Sequence, residues 1–262
     1  MIYLRSEEEV ARIRSSARIV SGCLDHLERM IAPGVTGSQL DREAEQFVLD
    51  HGALPAFRGY RGYPATLCVS VNHVVVHGIP NDIAFDEGDI VGIDMGAIVD
   101  GYYADSARTV AAGPVPMEVQ RLIDVTREAL HRGIAQAVDG HRVGDIGHAI
   151  QTYAEGFGFS VVRDLVGHGV GRQLHEEPQV PNYGRPGRGP KLSVGMVLAI
   201  EPMLAMGSPE VSTLPDNWTV VTRDRSWSAH FEHTIAVGRE APEILSVTEA
   251  DQASGAARAA GG

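Results

Sequence analysis

DIVGIDMGAIVDGYYADSARTV, Asp89 to Val110, decides the architecture of this chain. Ile90, Val91 and Ile93 lead into Asp94, Gly101 breaks the run, and Asp105 follows on the far side. The pattern predicts a strand hairpin with an acid on each arm, where hydrophobic residues belong. The anomaly recurs twice. MVLAIEPML, from Met196, ends an apolar run on Glu201 just before Pro202, and SAHFEHTIAV, from Ser228, puts Glu232 between Phe231 and Ile235. Taking one ionised carboxylate out of water costs several kcal/mol, a sizeable part of the net stability of a whole domain, so these acids need partners.

Two kinds of partner are open. Each acid could have its own arginine, yet the apolar runs contain no basic residue except Arg108. The alternative is metal. GHGVGRQLHEEP, Gly167 to Pro178, supplies His168 and His175 in a glycine-punctuated segment unsuited to a helix. Gly167, Gly169 and Gly171 are expected to allow positive φ and close backbone approach around a small reacting centre. Four carboxylates carry a charge of about −4, which two divalent cations would balance. With His168 as a neutral imidazole, the set Asp94, Asp105, His168, Glu201 and Glu232 suits a carboxylate-bridged dinuclear site. Such oxygen-rich ligands favour manganese, cobalt, iron(II) or zinc over calcium, and spacing does not choose among the four.

The ordered set VVVHGIP, IDMGAIVDGYYAD, GHGVGRQLHEEP, AIEPM and FEHTI resembles the type I methionine aminopeptidases, from about Ser6 to about Val247. Prolidases and aminopeptidase P share the five ligands and the pita-bread fold. They usually carry a large extra N-terminal domain, for which this chain is expected to be too short, and the insertion typical of type II enzymes is absent. The resemblance implies an α/β (α+β) fold with a curved antiparallel sheet flanked by helices, in two pseudo-symmetric halves that are not visible as a sequence repeat. It implies removal of initiator methionine from nascent polypeptide N-termini when the second residue is small.

It also implies roles. Asp94 would chelate one of two divalent ions, Asp105 and Glu232 would bridge them, and His168 with Glu201 would complete the other. The ion without an imidazole is expected to bind more weakly. Glu201 would move a proton from the attacking water to the leaving amine, His175 would polarise the carbonyl or stabilise the oxyanion, and His77 would sit beside the scissile nitrogen. For the methionine side chain, AFRGYRGYPATLC offers Phe57, Tyr60, Tyr63 and Cys68, and the resemblance adds Trp218, His77 and Leu174. Sulfur–aromatic contacts of ~0.3–1.5 kcal/mol suit a thioether, the alternative being that Tyr60 and Tyr63 are ordinary half-buried loop aromatics. Two positions depart from the family: many bacterial relatives have cysteine at Phe57 and phenylalanine at Leu174. Rival readings are an Xaa-Pro peptidase and a non-catalytic binding protein on the same fold.

Helices are expected from Ser6, whose spacing to Glu9 is a capping box, to before Pro33; from Thr36, matched by Gln39, to near Gly52; from Met117 to Val138; and from Asp145 to Phe157. Hydrophobic residues make up 44% of 262 positions, enough core for a single catalytic domain over 1–248 without disulfides. Residues 249–262, rich in alanine and glycine, read as a flexible tail. Cys23 and Cys68, with no export signal or long apolar span, fit a cytoplasmic protein off the membrane, expected to be monomeric. A net charge of −12 argues against DNA binding. The loop NYGRPGRGPK gathers Arg185, Arg188 and Lys191, either a solvated loop or a transient ribosome contact. Phosphate-binding, HExxH and calcium-loop motifs are absent.

Overall fold

The computed structural model describes residues 1–247; the tail expected at 249–262 lies outside them. Helix α1 spans Glu7–Glu28 and α2 Gly37–Asp50. Each starts on the capping box that its sequence specifies. Glu9 N–H donates to Ser6 Oγ at 3.2 Å and Ser6 N–H to Glu9 Oε2 at 3.0 Å, while Gln39 N–H donates to Thr36 Oγ1 at 3.2 Å and Thr36 N–H to Gln39 Oε1 at 2.8 Å. Helix α3, Met117–Ile134, stops short of Val138, because Val138 leaves the helix to pair with Gly238. Helix α4, Val143–Gly156, starts before Asp145. Asp145 is the capping acid rather than the first helical residue, and its carboxylate accepts from Arg142 N–H at 2.7 Å.

The strands are short except for the hairpin. They are β1 (Leu54–Pro55), β2 (Leu67–Val71), β3 (Val74–Val76), β4 (Asp89–Val99), β5 (Tyr102–Ala112), β6 (Ser160–Val161), β7 (Gly167–Gly169) and β8 (Glu176–Val180). Then follow β9 (Val197–Ile200), β10 (Met203–Ala205), β11 (Val211–Thr213), β12 (Val220–Thr222), β13 (Ser228–His230), β14 (Glu232–Ala236) and β15 (Glu243–Ile244). The main sheet runs β1-β4-β5-β14-β9-β7-β8, with β2 on β4 and β15 on β14, and all its pairs are antiparallel. The predicted β4–β5 hairpin is its longest ladder.

Two cores back this sheet. Leu24 and Leu27 of α1 with Leu40 and Val48 of α2 pack on Val91, Ile93 and Met95 of β4. Leu122 and Leu130 of α3 with Ile146 and Ile150 of α4 pack on Leu198, Ile200 and Ile235. Fully burying such a side chain contributes about 1.5–3 kcal/mol. Each half is therefore a helix pair beneath its own strands, and the halves meet where β5 pairs with β14. This is the two-halved, curved antiparallel architecture that the resemblance implied.

Candidate active site

The ladder registers carry the acids to one place. Asp94 lies opposite Ala107, and Ala107 opposite Glu232. His233 lies opposite Ile200, so the same register continued by one residue brings Glu201 opposite Glu232. The neighbouring row starts at Gly96, which faces Asp105; Asp105 N–H donates to Thr234 Oγ1 at 3.2 Å, Thr234 faces Ala199, and Ala199 faces His168. The rows are two residues apart along each strand, so their side chains share one face of the pleat. Small residues, Ala107, Gly96 and Ala199, separate the ligand-type side chains and leave room between them.

The resulting cluster is tight. One ligand atom each from Asp105, His168 and Glu232 lie within 4.8 Å of one another, and all three residues are buried. His168 Nε2 is 3.4 Å from Asp105 Oδ2 and 3.6 Å from Glu201 Oε1. Among the described residues none of the four acids has an arginine or lysine partner; Arg108 instead pairs with Asp25 at 2.7 Å and Glu28 at 2.6 Å. Burial first, and then mutual repulsion, pushes Asp94, Glu201 and Glu232 well above the usual carboxylate range, and burial raises Asp105 to about 6. His168 is lowered to about 4 by burial, which keeps its imidazole neutral.

The glycines of GHGVGR act differently from expectation. Gly167, Gly169 and Gly171 are not among the positive-φ residues. Their absent side chains instead permit backbone contact: a Cβ on Gly167 would lie 2.3 Å from Ala199 O, and one on Gly169 2.4 Å from Glu177 O. The left-handed conformation falls on His77, with φ 58°, and on Arg61, with φ 48°, a backbone strain of the kind that clusters at functional sites.

All the side chains named from the sequence line one cavity of about 150 Å³, together with Arg61. Tyr63 and Trp218 meet edge to face at 5.0 Å, and His77 meets Trp218 at 6.4 Å. Tyr63 is buried rather than half-buried, its hydroxyl within reach of the carbonyls of Leu67 (3.1 Å) and Gly78 (3.0 Å). Cys68 is buried too, and burial holds its thiol protonated. His175 stacks on Tyr60 at 5.3 Å and shares a 2.9 Å hydrogen bond between Nδ1 and the Tyr60 hydroxyl. Its pKa is lowered to about 4, by desolvation and then by His168.

Sequence reasoning missed two residues. Arg61 lies within AFRGYRGYPATLC, where an arginine in a glycine-rich loop carries no signal that sets it apart from a solvated one. His230 is buried, with Nε2 3.7 Å from Glu201 Oε2; it ends β13, a strand of another sheet from Glu232, so no spacing in the sequence marks its approach to the cluster.

An antiparallel sheet gathering four crowded acids and an imidazole is the arrangement expected of a metallopeptidase. The sequence matches metallopeptidase family M24 over residues 11–239, and the chain belongs to that family. It is 50% identical over 250 residues to a methionine aminopeptidase of Clostridium acetobutylicum, covering 95% of this chain and 100% of that one. The crystal structure of methionine aminopeptidase from Rickettsia prowazekii superposes with a TM-score of 0.93 at 43% identity, covering 94% and 100% of the two chains. Prolidase from Pyrococcus furiosus shares the fold, at a TM-score of 0.76 and 22% identity, over 94% of this chain and 66% of its own. Within the family, the chain is a member of the methionine aminopeptidases.

Proposed function

We propose that this enzyme removes N-terminal methionine from polypeptides whose second residue is small, using two divalent ions held by Asp94, Asp105, His168, Glu201 and Glu232. The observation that carries this reading is the pair of acid-bearing rows beneath a cavity walled by Tyr63, Cys68 and Trp218. The donor set fits the ions. Asp94 Oδ1 is buried without a hydrogen bond, and four neighbouring carboxylates without a cation among their partners call for positive charge. When bound, the ions supply Lewis-acid activation of water near neutral pH and stabilise negative charge on the carbonyl oxygen.

The chain's own groups do the rest. Glu201, at the edge of the cluster, takes the proton from the attacking water and passes it to the leaving amine. Neutral His175, held by Tyr60, donates from Nε2 to the oxyanion. His77, half-buried beside Trp218, contacts the scissile nitrogen. The aromatic walls and the Cys68 thiol receive the thioether. Phe57 and Leu174 complete this pocket.

The setting we propose is a monomer in the cytoplasm. Both cysteines are free and buried, and no described helix is long and apolar enough to cross a membrane. Arg185, Arg188 and Lys191 are exposed on their loop and are the candidates for a ribosome contact; unchanged ribosome co-sedimentation after neutralising all three would remove it.

The deciding experiment is amino-acid release from Met-Ala-Ser, Met-Leu-Ser and Ala-Pro-Ala by chelated enzyme reconstituted with Mn, Co, Fe(II) or Zn. Cleavage of Met-Ala-Ser alone, dependent on metal and on Glu201, supports the proposal and ranks the metals. Cleavage of Ala-Pro-Ala points to Xaa-Pro chemistry, and no cleavage under any metal points to a binding protein.

A further inference from the structure

We propose that the substrate chain leaves the catalytic pocket through a second groove, walled by the N-terminal segment and β8, in which Glu177 confers a preference for basic residues at positions four and five of the substrate. The inference rests on the aminopeptidase reading, because only a substrate gripped at its N-terminus has a long chain to lead away.

The groove, about 460 Å³, shares Arg61, His168 and His175 with the catalytic pocket, so the two cavities border one another at these residues. Its outer part is lined by Tyr3, Gln173, Glu177 and Gln179. Glu177 and Gln179 are two residues apart on β8 and lie on one face. Both are exposed, and among the described residues Glu177 has no ion-pair partner. The adjacent Glu176 is already engaged by Arg5, in a pair whose side chains are only 7% and 5% exposed.

That pair builds the opposite wall. The Arg5 guanidinium lies 4.9 Å from the centre of the Tyr3 ring, Arg5 N–H donates to Gly195 O at 2.7 Å, and Ile2 pairs with Glu177 in parallel. A Cβ on Gly171 would come within 2.5 Å of the same guanidinium, so the third glycine of GHGVGR makes space for this anchor. Tyr3 is thus an anchored aromatic surface, 47% exposed, lining the same groove as the unpaired Glu177 carboxylate. Arg61 at the mouth repels a cation at position three, which places the preferred basic residues further out.

The test compares kcat/KM for Met-Ala-Ser, Met-Ala-Ser-Lys-Lys and Met-Ala-Ser-Glu-Glu, using metal-reconstituted wild type and Glu177→Gln. Wild type should favour the Lys-Lys peptide over the Glu-Glu peptide by about two- to fivefold, the range for a partly exposed charge pair. The ratio should fall towards one in Glu177→Gln and, for wild type, in 1 M salt, roughly where the screening length drops to 3 Å. Equal rates for the two pentapeptides in wild type, or a preference that survives either the substitution or the salt, would overturn the groove. Because a net charge of −12 also gives a cationic peptide a salt-sensitive advantage, the substitution decides the matter. A second variant, Glu177→Lys, should invert the preference, whereas loss of a single surface charge elsewhere, as in Glu7→Gln, should leave it unchanged. Cleavage of Met-Ala-Ser without a charge preference sinks the groove alone, whereas failure to cleave Met-Ala-Ser under any metal sinks the aminopeptidase reading and the groove with it.

Discussion

His168 and its chain neighbour Gly169 share a contact that decides which imidazole nitrogen is free. Nδ1 lies 2.9 Å from the Gly169 carbonyl oxygen, so the proton sits on Nδ1 and the Nε2 lone pair faces Asp105 and Glu201. A backbone carbonyl cannot be removed by mutation, which makes this tautomer a property of the strand. Replacing His168 by alanine should weaken metal binding by more than the ~10–100-fold typical of losing a supporting contact, as read by calorimetric titration with Mn.

Glu201→Gln separates binding from chemistry. The amide keeps an oxygen for coordination but cannot carry a proton, so kcat on Met-Ala-Ser should fall by roughly 10²–10⁴. KM should change far less. A variant with normal kcat would remove Glu201 from the proton path.

The metal-free protein should be destabilised by its own ligands. Folded-state values raised above those of the unfolded chain mean that the native form holds protons which the unfolded form releases. That contribution is complete below pH ~4 and is lost as pH rises, through about 6 for Asp105 and through the raised values of Asp94, Glu201 and Glu232. His168, lowered to about 4, acts oppositely: its contribution is present above pH ~6.5 and is lost as pH falls through about 4. Comparing Asp94→Asn with wild type cancels the histidine part. Without metal, the variant should melt a few degrees higher at pH 8, with the gap closing towards pH 4, whereas saturating Mn should reverse the order. Thermal scans of both proteins across this range check the sign.

Phe57 narrows the pocket. A Cβ on Gly96 would already come within 3.0 Å of its ring, so Phe57 is pressed between the sheet and the cavity. Phe57→Ala should admit larger first residues and reduce the Met-Ala-Ser to Phe-Ala-Ser ratio of kcat/KM by on the order of tenfold. An unchanged ratio would place Phe57 away from the first side chain.

Gly167→Ala and Gly171→Ala should differ. The first drives a methyl into Ala199 O at 2.3 Å, within the ladder that aligns His168; the second meets the Arg5 guanidinium at 2.5 Å, a side chain rather than backbone, and displaces it from Glu176. Gly167→Ala should cost several kcal/mol and lower metal affinity, while Gly171→Ala should disturb chiefly the N-terminal segment. Denaturant unfolding and Mn titration of both variants distinguish the outcomes.

Much of this was legible in the chain. Asp94, Asp105, Glu201 and Glu232 stood out because strand-like hydrophobic runs almost never tolerate acids, and Ser6 and Thr36 announced their helices through local hydrogen bonds that spacing alone specifies. What spacing could not reveal was register. That Glu232 lies beside Ala107, and that Asp94 and Glu232 therefore share a row, depends on pairings between strands far apart in sequence. The same limit hid His230, whose nearness to Glu201 arises only when β13 and the end of β9 come together. It also hid the purpose of Gly171, which is set by Arg5 at the other end of the chain.

The seam between β5 and β14 carries a consequence for biosynthesis. Asp94 and Asp105 come from one side of it, and His168, Glu201 and Glu232 from the other. A chain still emerging from its tunnel can complete the first hairpin and still lack His168, Glu201 and Glu232. Hydrolytic competence therefore waits for the last of these residues, Glu232, to take its place beside Ala107. A half-synthesised molecule has acids but no catalyst, and two separately expressed halves should regain activity only by docking along that seam.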